Sequence, residues 1–444
     1  MAWRRLPSFR LNGAICLLAA AFLSSTLGAF TAPAWNLEAQ KKVLENGLTV
    51  ILQKDEASPT TFLQILIKGG EKAEPPGKEG LAFLTTRLAV EIPDTDKVQK
   101  LMSLASRFSV ASRGDYAFVN VECLSANVDE TLKVLSKIFL DPLFSGLRID
   151  AVKRYMEHQG RMEQNDSVLV GHLANLQAFF GPRGYGGSVY GDETSLEAIK
   201  GGEIKDFYGR YFTAQNMIIS GCSDLPADEI LQLIQKYFSA VPAGKPASLE
   251  PAAVLSPPEK NAHIERDTKQ SFVSLAYPLP RITPRSYALF YLLESLLGKG
   301  PGSRLWPLRA EEKLAYNVNC RVTQMQDGGI LEAYLETENA KTDLALAGLK
   351  RKLAELSAEG ITPEELHLTK TAAQANFLRD NEFKAMRAAT LGSFEALGLG
   401  AGYFNEFVSL LDALTVEEVN AVLKNDLDPG KGFEVVVGPK PQAR

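Results

Sequence analysis

Gly77-Lys78-Glu79-Gly80-Leu81-Ala82-Phe83-Leu84-Thr85-Thr86-Arg87 is the stretch that decides how this chain folds. Two apolar, β-rich runs precede it, residues 48–54 and 61–68, separated by Ala57, Ser58 and Pro59. They predict a pair of strands. Pro75 and Pro76 stop the extended chain, and a helix is expected to start near Lys78. Residues 108–112 and 116–124 then read as a hairpin around Arg113, Gly114 and Asp115. Asn127, with Glu130 three residues on, marks a capped helix start. Its apolar face carries Leu132, Leu135, Ile138 and Phe139. Helical segments continue to about Phe180. The glycine-rich residues 181–191 are followed by no Lys-Ser/Thr pair and read as a flexible loop, not a phosphate cradle. A helix ending at Tyr211, a strand over 216–221 and a helix over 226–238 complete the first half.

The second half replays this order. Residues 271–277 predict a strand and 286–297 a helix. Residues 314–322 and 329–335 predict strands around Asp327 and Gly328. Helices follow over 341–356, 363–378 and 415–423, and residues 433–437 close with a strand. A Pro-, Ala- and Ser-rich linker without periodicity separates the halves. The expected architecture is α+β, with two homologous domains, each an antiparallel sheet packed with helices. Their bounds are 35–241 and 261–444, with the linker at 242–260 and a leader at 1–34.

The leader is read from Arg4, Arg5 and Arg10, followed by an apolar run over 14–27 and small residues at Gly28, Ala29, Ala32 and Ala34. The run is short for a membrane span, which needs about 20 apolar residues. It predicts a secretory signal peptide and a secreted or periplasmic mature chain with no membrane span. An uncleaved anchor and a mitochondrial presequence are the alternatives. The cysteines left after cleavage, Cys123, Cys222 and Cys320, are odd in number and build no complete disulfide framework. Cys123 and Cys222 end apolar runs, as buried free thiols do. Formal net charge is −5 with both signs interspersed, which argues against a nucleic-acid partner.

A catalytic zinc site takes three protein ligands, usually with His among them. The chain has four histidines, His158, His172, His263 and His367. No two are three or four residues apart, so none forms a helical pair on one metal. No Cys-x-x-Cys and no Gly-x-Ser-x-Gly occurs.

The opening stretch resembles the pitrilysin/insulinase-type zinc peptidases, the inverzincins. There a Gly-rich turn leads through Gly-Leu-Ala into H-x-x-E-H, where two His bind zinc and the Glu activates water. Gly80, Leu81 and Ala82 keep the frame. The functional positions hold Phe83, Thr86 and Arg87. Phe offers no ligand atom, Thr takes no proton at neutral pH, and Arg repels a cation. Glu157 and Glu163 lie in the region of the family's third ligand. A second stretch, Gly302-Ser303-Arg304-Leu305-Trp306-Pro307-Leu308-Arg309-Ala310-Glu311-Glu312-Lys313-Leu314-Ala315-Tyr316, resembles the family's Ser-Arg-Leu, Leu-Arg, Leu-Gly/Ala-Tyr segment. Weaker echoes are Val43-Leu44-Glu45-Asn46-Gly47-Leu48, and Phe207-Tyr208 through Tyr211 to Asn216-Met217.

The resemblance implies a zinc-less subunit that has no cofactor of its own and pairs with a zinc-bearing subunit of the same family. Arg309 and Tyr316, seven residues apart, would serve the partner's site by holding extended peptide substrate and stabilising the oxyanion. Read from the residues alone, Arg309 forms a helix-surface ion pair and Tyr316 packs in the core. A non-catalytic scaffold and a peptide-binding protein of the same fold are the other expectations.

Overall fold

The computed structural model describes residues 38–92 and 95–440, so the predicted leader lies outside the described residues. Six strands form the first sheet: β1 (Ala39–Val43), β2 (Thr49–Lys54), β3 (Thr60–Ile67), β4 (Arg107–Arg113), β5 (Tyr116–Leu124) and β6 (Met217–Ser223), in the order β1-β2-β6-β3-β5-β4. The second sheet has β7 (Asn261–Glu265), β8 (Gln270–Leu279), β9 (Asn317–Met325), β10 (Gly328–Glu338) and β11 (Phe433–Gly438), in the order β7-β11-β8-β10-β9. Without β1 the two orders superimpose strand for strand, so the repeat expected from element order is a repeat of topology. The α+β class holds. The antiparallel expectation is corrected, because both sheets are mixed. Strand β6 runs parallel to β2, and β11 runs parallel to β7. Each returns after a long helical excursion, which lets a chain re-enter beside a strand in the same direction.

Side chains on a strand alternate between faces, and here both faces of each sheet are buried. On the first sheet, Val50, Leu52, Leu63, Ile65 and Ile67 join one core with Leu84, Leu132, Leu135 and Ile234 from its own half's helices. The intervening Ile51, Leu66 and Ile218 join a different core with Leu391 and Phe394. These two belong to the helix Lys384–Ala396 of the second half. The second sheet mirrors this. Val273, Leu275 and Leu331 face their own helices, while Phe272, Ala276 and Ile330 meet Val170 and Phe179. Those lie on the helix Ser167–Phe180 of the first half. Each half therefore lends one helix to cover the other's sheet.

Close approach at both crossings depends on glycine. An added Cβ at Gly171 would stand 2.1 Å from the Phe272 ring. At Gly392 it would stand 2.4 Å from Ser220 Oγ and 2.6 Å from Leu66. Polar grips flank each glycine. Asn175 donates to Ser274 Oγ and to Glu332 Oε1, and His172 Nδ1 lies 2.9 Å from Glu332 Oε2. On the other helix, Lys384 donates to the carbonyls of Ser58 and Thr60. Arg387 donates to Gln53 and pairs with Asp55.

Two local expectations are corrected. The helix Val128–Leu140 buries the expected Leu132, Leu135, Ile138 and Phe139, but Asn127 makes no side-chain cap. Its amide donates instead to Leu104 O at 2.9 Å, a longer-range partner that competes with the local one. Residues 181–191 are packed structure, not a free loop. Tyr185 is 4% exposed, and a Cβ at Gly186 would meet Gly181 O at 2.0 Å. The linker has no helix or strand but is pinned by Ala247 N–H to Asn216, Ala252 N–H to Asp327 and Leu255 N–H to Phe179 O. Among the described residues no helix is long and apolar enough to cross a membrane.

Overpacking a closed contact costs about 1–3 kcal/mol. Gly171→Val and Gly392→Val are each expected to lose at least that much stability in urea denaturation. Gly209→Ala, on an exposed helix surface with nothing within 4 Å, is expected to gain about 0.5–1 kcal/mol. A Gly171→Val protein as stable as the parent would show that the crossing is not tight.

Candidate functional site

The degenerate motif sits on the helix Leu81–Ala89. Gly80, at φ +92°, turns the chain into it, a left-handed conformation that glycine adopts without strain. Glu74 Oε1 accepts the Ala82 N–H at 2.8 Å and closes the first turn. Burial, reinforced by Glu71, pushes the Glu74 carboxyl well above the usual range. Phe83 is 3% exposed and packs edge-on against Tyr190 at 5.0 Å between ring centres, with Tyr155 stacked at 6.4 Å. Thr86 is fully buried, and its hydroxyl donates to Ala82 O at 2.7 Å inside its own helix. Arg87 reaches along the helix to Glu91, where the charges meet at 3.0 Å. An aromatic cluster, a spent hydroxyl and a guanidinium do not fit a zinc ion, which needs nitrogen, sulfur or carboxylate donors. Among the described residues no group of three or more His, Cys, Asp or Glu side chains is placed to hold a metal.

Neither glutamate of the third-ligand region completes a site. Both lie on the helix Gly146–Gln164, and Glu163 lines a cavity between the halves. Burial raises its carboxyl, with Asp166 adding to the rise. His172 is held by Glu332, and His263 Nε2 lies 3.1 Å from Gly438 O. Among the described residues Cys123, Cys222 and Cys320 are free and buried, as expected of Cys123 and Cys222. Burial pushes the Cys123 thiol up to about 11 and Cys222 up to about 12, away from thiolate chemistry.

Arg309 and Tyr316 line one solvent-open cleft of about 300 Å³, and none of Phe83, Thr86 or Arg87 borders it. Arg309 closes the short helix Trp306–Ala310, and Tyr316 enters β9. Lys313, at φ +55°, turns the chain between them so that both side chains face one opening. Arg309 is exposed and stacks on the Trp306 ring at 4.9 Å. Among the described residues no carboxylate pairs with it. Tyr316 is 53% exposed, and its hydroxyl donates to Glu338 Oε1 at 3.2 Å. Lys341, 2.9 Å from the same oxygen, holds the Glu338 carboxyl below its usual range. The ion-paired Arg309 and core Tyr316 expected from the residues alone are therefore not what forms.

Sequence reasoning missed a polar hub between the halves. Asp115 and Asp327 occupy the tips of the two equivalent hairpins. Tyr185 donates to Asp115 Oδ1 at 2.5 Å and receives the Asp327 N–H at 3.3 Å. The Gln326 N–H donates to Asp115 Oδ2 at 2.9 Å, and Lys72 pairs with Asp327 in a nearly closed site. Both aspartates sat in readable turn signals, but their pairing across more than 200 residues had no local trace. Nearby Glu71 is 4% exposed. Burial pushes its carboxyl up to about 7, and Ser112 and Arg113 oppose the rise.

Between the unfolded value of 4.5 and about 7, folded Glu71 keeps a proton that the unfolded chain has lost. Stability therefore falls as pH rises through that window, by roughly 3 kcal/mol in all. Glu71→Gln is expected to flatten this fall and to be the more stable protein at pH 8. Glu74 and Asp115, also raised by burial, keep a residual slope. Urea denaturation at pH 5 and pH 8 measures the difference, and equal slopes in both proteins would refute it.

Known proteins share this fold. The family model described as Insulinase (Peptidase family M16) matches residues 49–181, and the one described as Peptidase M16 inactive domain matches residues 198–373. The non-peptidase homolog YmxG of Helicobacter pylori is 22% identical over 90% of this chain and 93% of its own length. The uncharacterized zinc protease YmxG of Bacillus subtilis is 20% identical over 86% and 93%. The crystal structure of a peptidase M16 inactive domain from Pseudomonas fluorescens superimposes with a TM-score of 0.82 at 24% identity, covering 92% of this chain and 99% of that one. With both family models matched in sequence order and the whole topology shared, the chain belongs to the insulinase family of peptidases, M16.

Proposed function

We propose that this chain is the zinc-less subunit of a heteromeric metallopeptidase acting on short unfolded peptides. The observation that supports it best is the pairing of an unfit motif helix with an open cleft lined by Arg309 and Tyr316. A guanidinium without a carboxylate partner presents a fixed fork of donors suited to substrate carbonyls. The exposed phenol of Tyr316 would turn its proton from Glu338 to a developing oxyanion. Tyr316 stands at the entry to β9, an edge strand, and Arg309 lines the same cleft from the preceding helix, where an extended peptide can add by main-chain hydrogen bonds. The zinc site they serve would be the partner subunit's, and this chain alone would hydrolyse nothing. The leader-like N-terminus supports a secreted or periplasmic site of action.

Cleavage of a quenched unstructured peptide tests this, with the mature chain alone and mixed with a zinc-bearing family member from the same cell. Activity is expected only in the mixture. Tyr316→Phe and Arg309→Ala are each expected to lower kcat/KM of the mixture about 100-fold with the complex intact, the usual effect of removing one oxyanion donor. Stoichiometric zinc on the isolated chain would overturn the proposal. An intact complex with unchanged activity in both variants would instead favour a scaffold.

A further inference from the structure

We propose that the Arg309/Tyr316 cleft selects peptides that carry a carboxylate, which Lys313 and Lys341 hold beside the Arg309 guanidinium. The inference rests on the reading of this cleft as a peptide site and adds the class of peptide it takes. Arg309, Lys313 and Lys341 line the cleft together, and Glu338 is the one carboxylate among its described lining residues. The wall therefore sets three positive charges against one negative. The chain as a whole is acidic, with a formal net charge of −5. The excess of cations is thus a property of this cleft and not of the general surface.

The fold leaves each of the three cations with donors to spare. Arg309 stacks on the Trp306 ring, which holds the guanidinium plane and leaves its edge open. The Lys313 ammonium donates to Ala310 O, one bond for a group with three donors. Lys341 meets Glu338 Oε1 at 2.9 Å and also reaches Lys313 O at 3.4 Å, which brings the two lysine segments side by side. Its pair with Glu338 is open to solvent. Ion pairs of that kind contribute little, so an incoming carboxylate can share the ammonium. The backbone points the same way. Lys313 stands at φ +55°, a left-handed conformation that glycine would adopt without strain. Strained positions of this sort cluster at functional sites, and here the strained residue faces its ammonium to the cleft.

Guanidinium and ammonium groups are donors only. Their strongest hydrogen bonds go to ionised acceptors, a carboxylate above all in a peptide. The neighbouring strand supplies the peptide. Strand β9 is an edge whose described partner is β10, so its other side is free to pair. A peptide laid along that side would bring an acidic side chain or its own C-terminus into the cleft at the strand's entry.

Calorimetric titration of the purified mature chain at low salt tests this with three acetylated, unstructured hexapeptides of one neutral sequence. One ends in a free carboxylate, one in an amide, and one in an amide with a single internal aspartate. At least one acidic peptide is expected to bind about tenfold more tightly than the neutral amide, the scale of a charge-assisted hydrogen bond. Which of the two gains names the source, terminus or side chain. Lys313→Gln and Lys341→Gln together are expected to remove the preference, and added salt to weaken it. The two single variants are titrated in parallel, and thermal unfolding confirms that each chain is folded. Equal binding of all three peptides would overturn the inference. So would no binding of any, or a preference unchanged in the double variant. The subunit reading fails separately, by absence of cleavage in the mixture with a zinc-bearing partner. Carboxylate binding to the isolated chain does not depend on that outcome.

Discussion

The closeness of two helix-to-sheet crossings governs the rest of this molecule. At Gly171 and Gly392 a backbone lies where any side chain would strike Phe272, Ser220 or Leu66. Each crossing joins a helix of one half to the sheet of the other. Neither sheet then has a solvent face, which is why strands such as β3 are apolar at consecutive positions and not at alternate ones. The halves share cores, so separating them would expose apolar surface on both at once. Polar side chains then fix the register that apolar packing leaves loose. Asn175 and His172 meet Glu332 on one side, and Arg387 and Lys384 meet the first sheet on the other.

The same closure carries an electrostatic cost. Pressing the two hairpin tips together buries Asp115, Asp327, Lys72 and Tyr185, and brings Glu71 in with them. Charge in such a place persists only with partners. Asp327 has Lys72 and backbone donors, whereas Glu71 keeps a proton to about neutral pH. Between the halves the fold thus holds a closed polar clasp beside a cavity lined by Glu71, Ser112 and Arg113.

Loss of metal chemistry left the motif helix structurally intact. Phe83 fills its position with a ring packed on Tyr155 and Tyr190, and Thr86 turns its hydroxyl back onto the helix. The helix keeps its glycine entry and its Glu74 cap. Away from it, Arg309 and Tyr316 stay exposed in a cleft of their own. Stability has absorbed the first constellation and has not absorbed the second.

Local pattern determined most of the elements. Alternating or continuous apolar runs marked β2, β3, β5, β8 and β10, and helix periodicity placed Val128–Leu140 and Pro363–Asp380. The frame at Gly80–Leu81–Ala82 named the family, and the residues at 83, 86 and 87 declared the zinc site unfit. These signals are short-range, so they survive in a single sequence. What was not legible depended on contacts between distant segments. The helix Lys384–Ala396 buries Lys384, Arg387 and Gly392 on the face that meets the other half's sheet, so that face does not read as apolar. Strand β1 is a short edge strand on a local turn to β2, whereas β7 and the parallel pairings were set by where long excursions return. Asn127 found Leu104 instead of its own helix. The ionisation of Glu71 and the meeting of Asp115 with Tyr185 arise from burial and proximity, which only the folded chain creates.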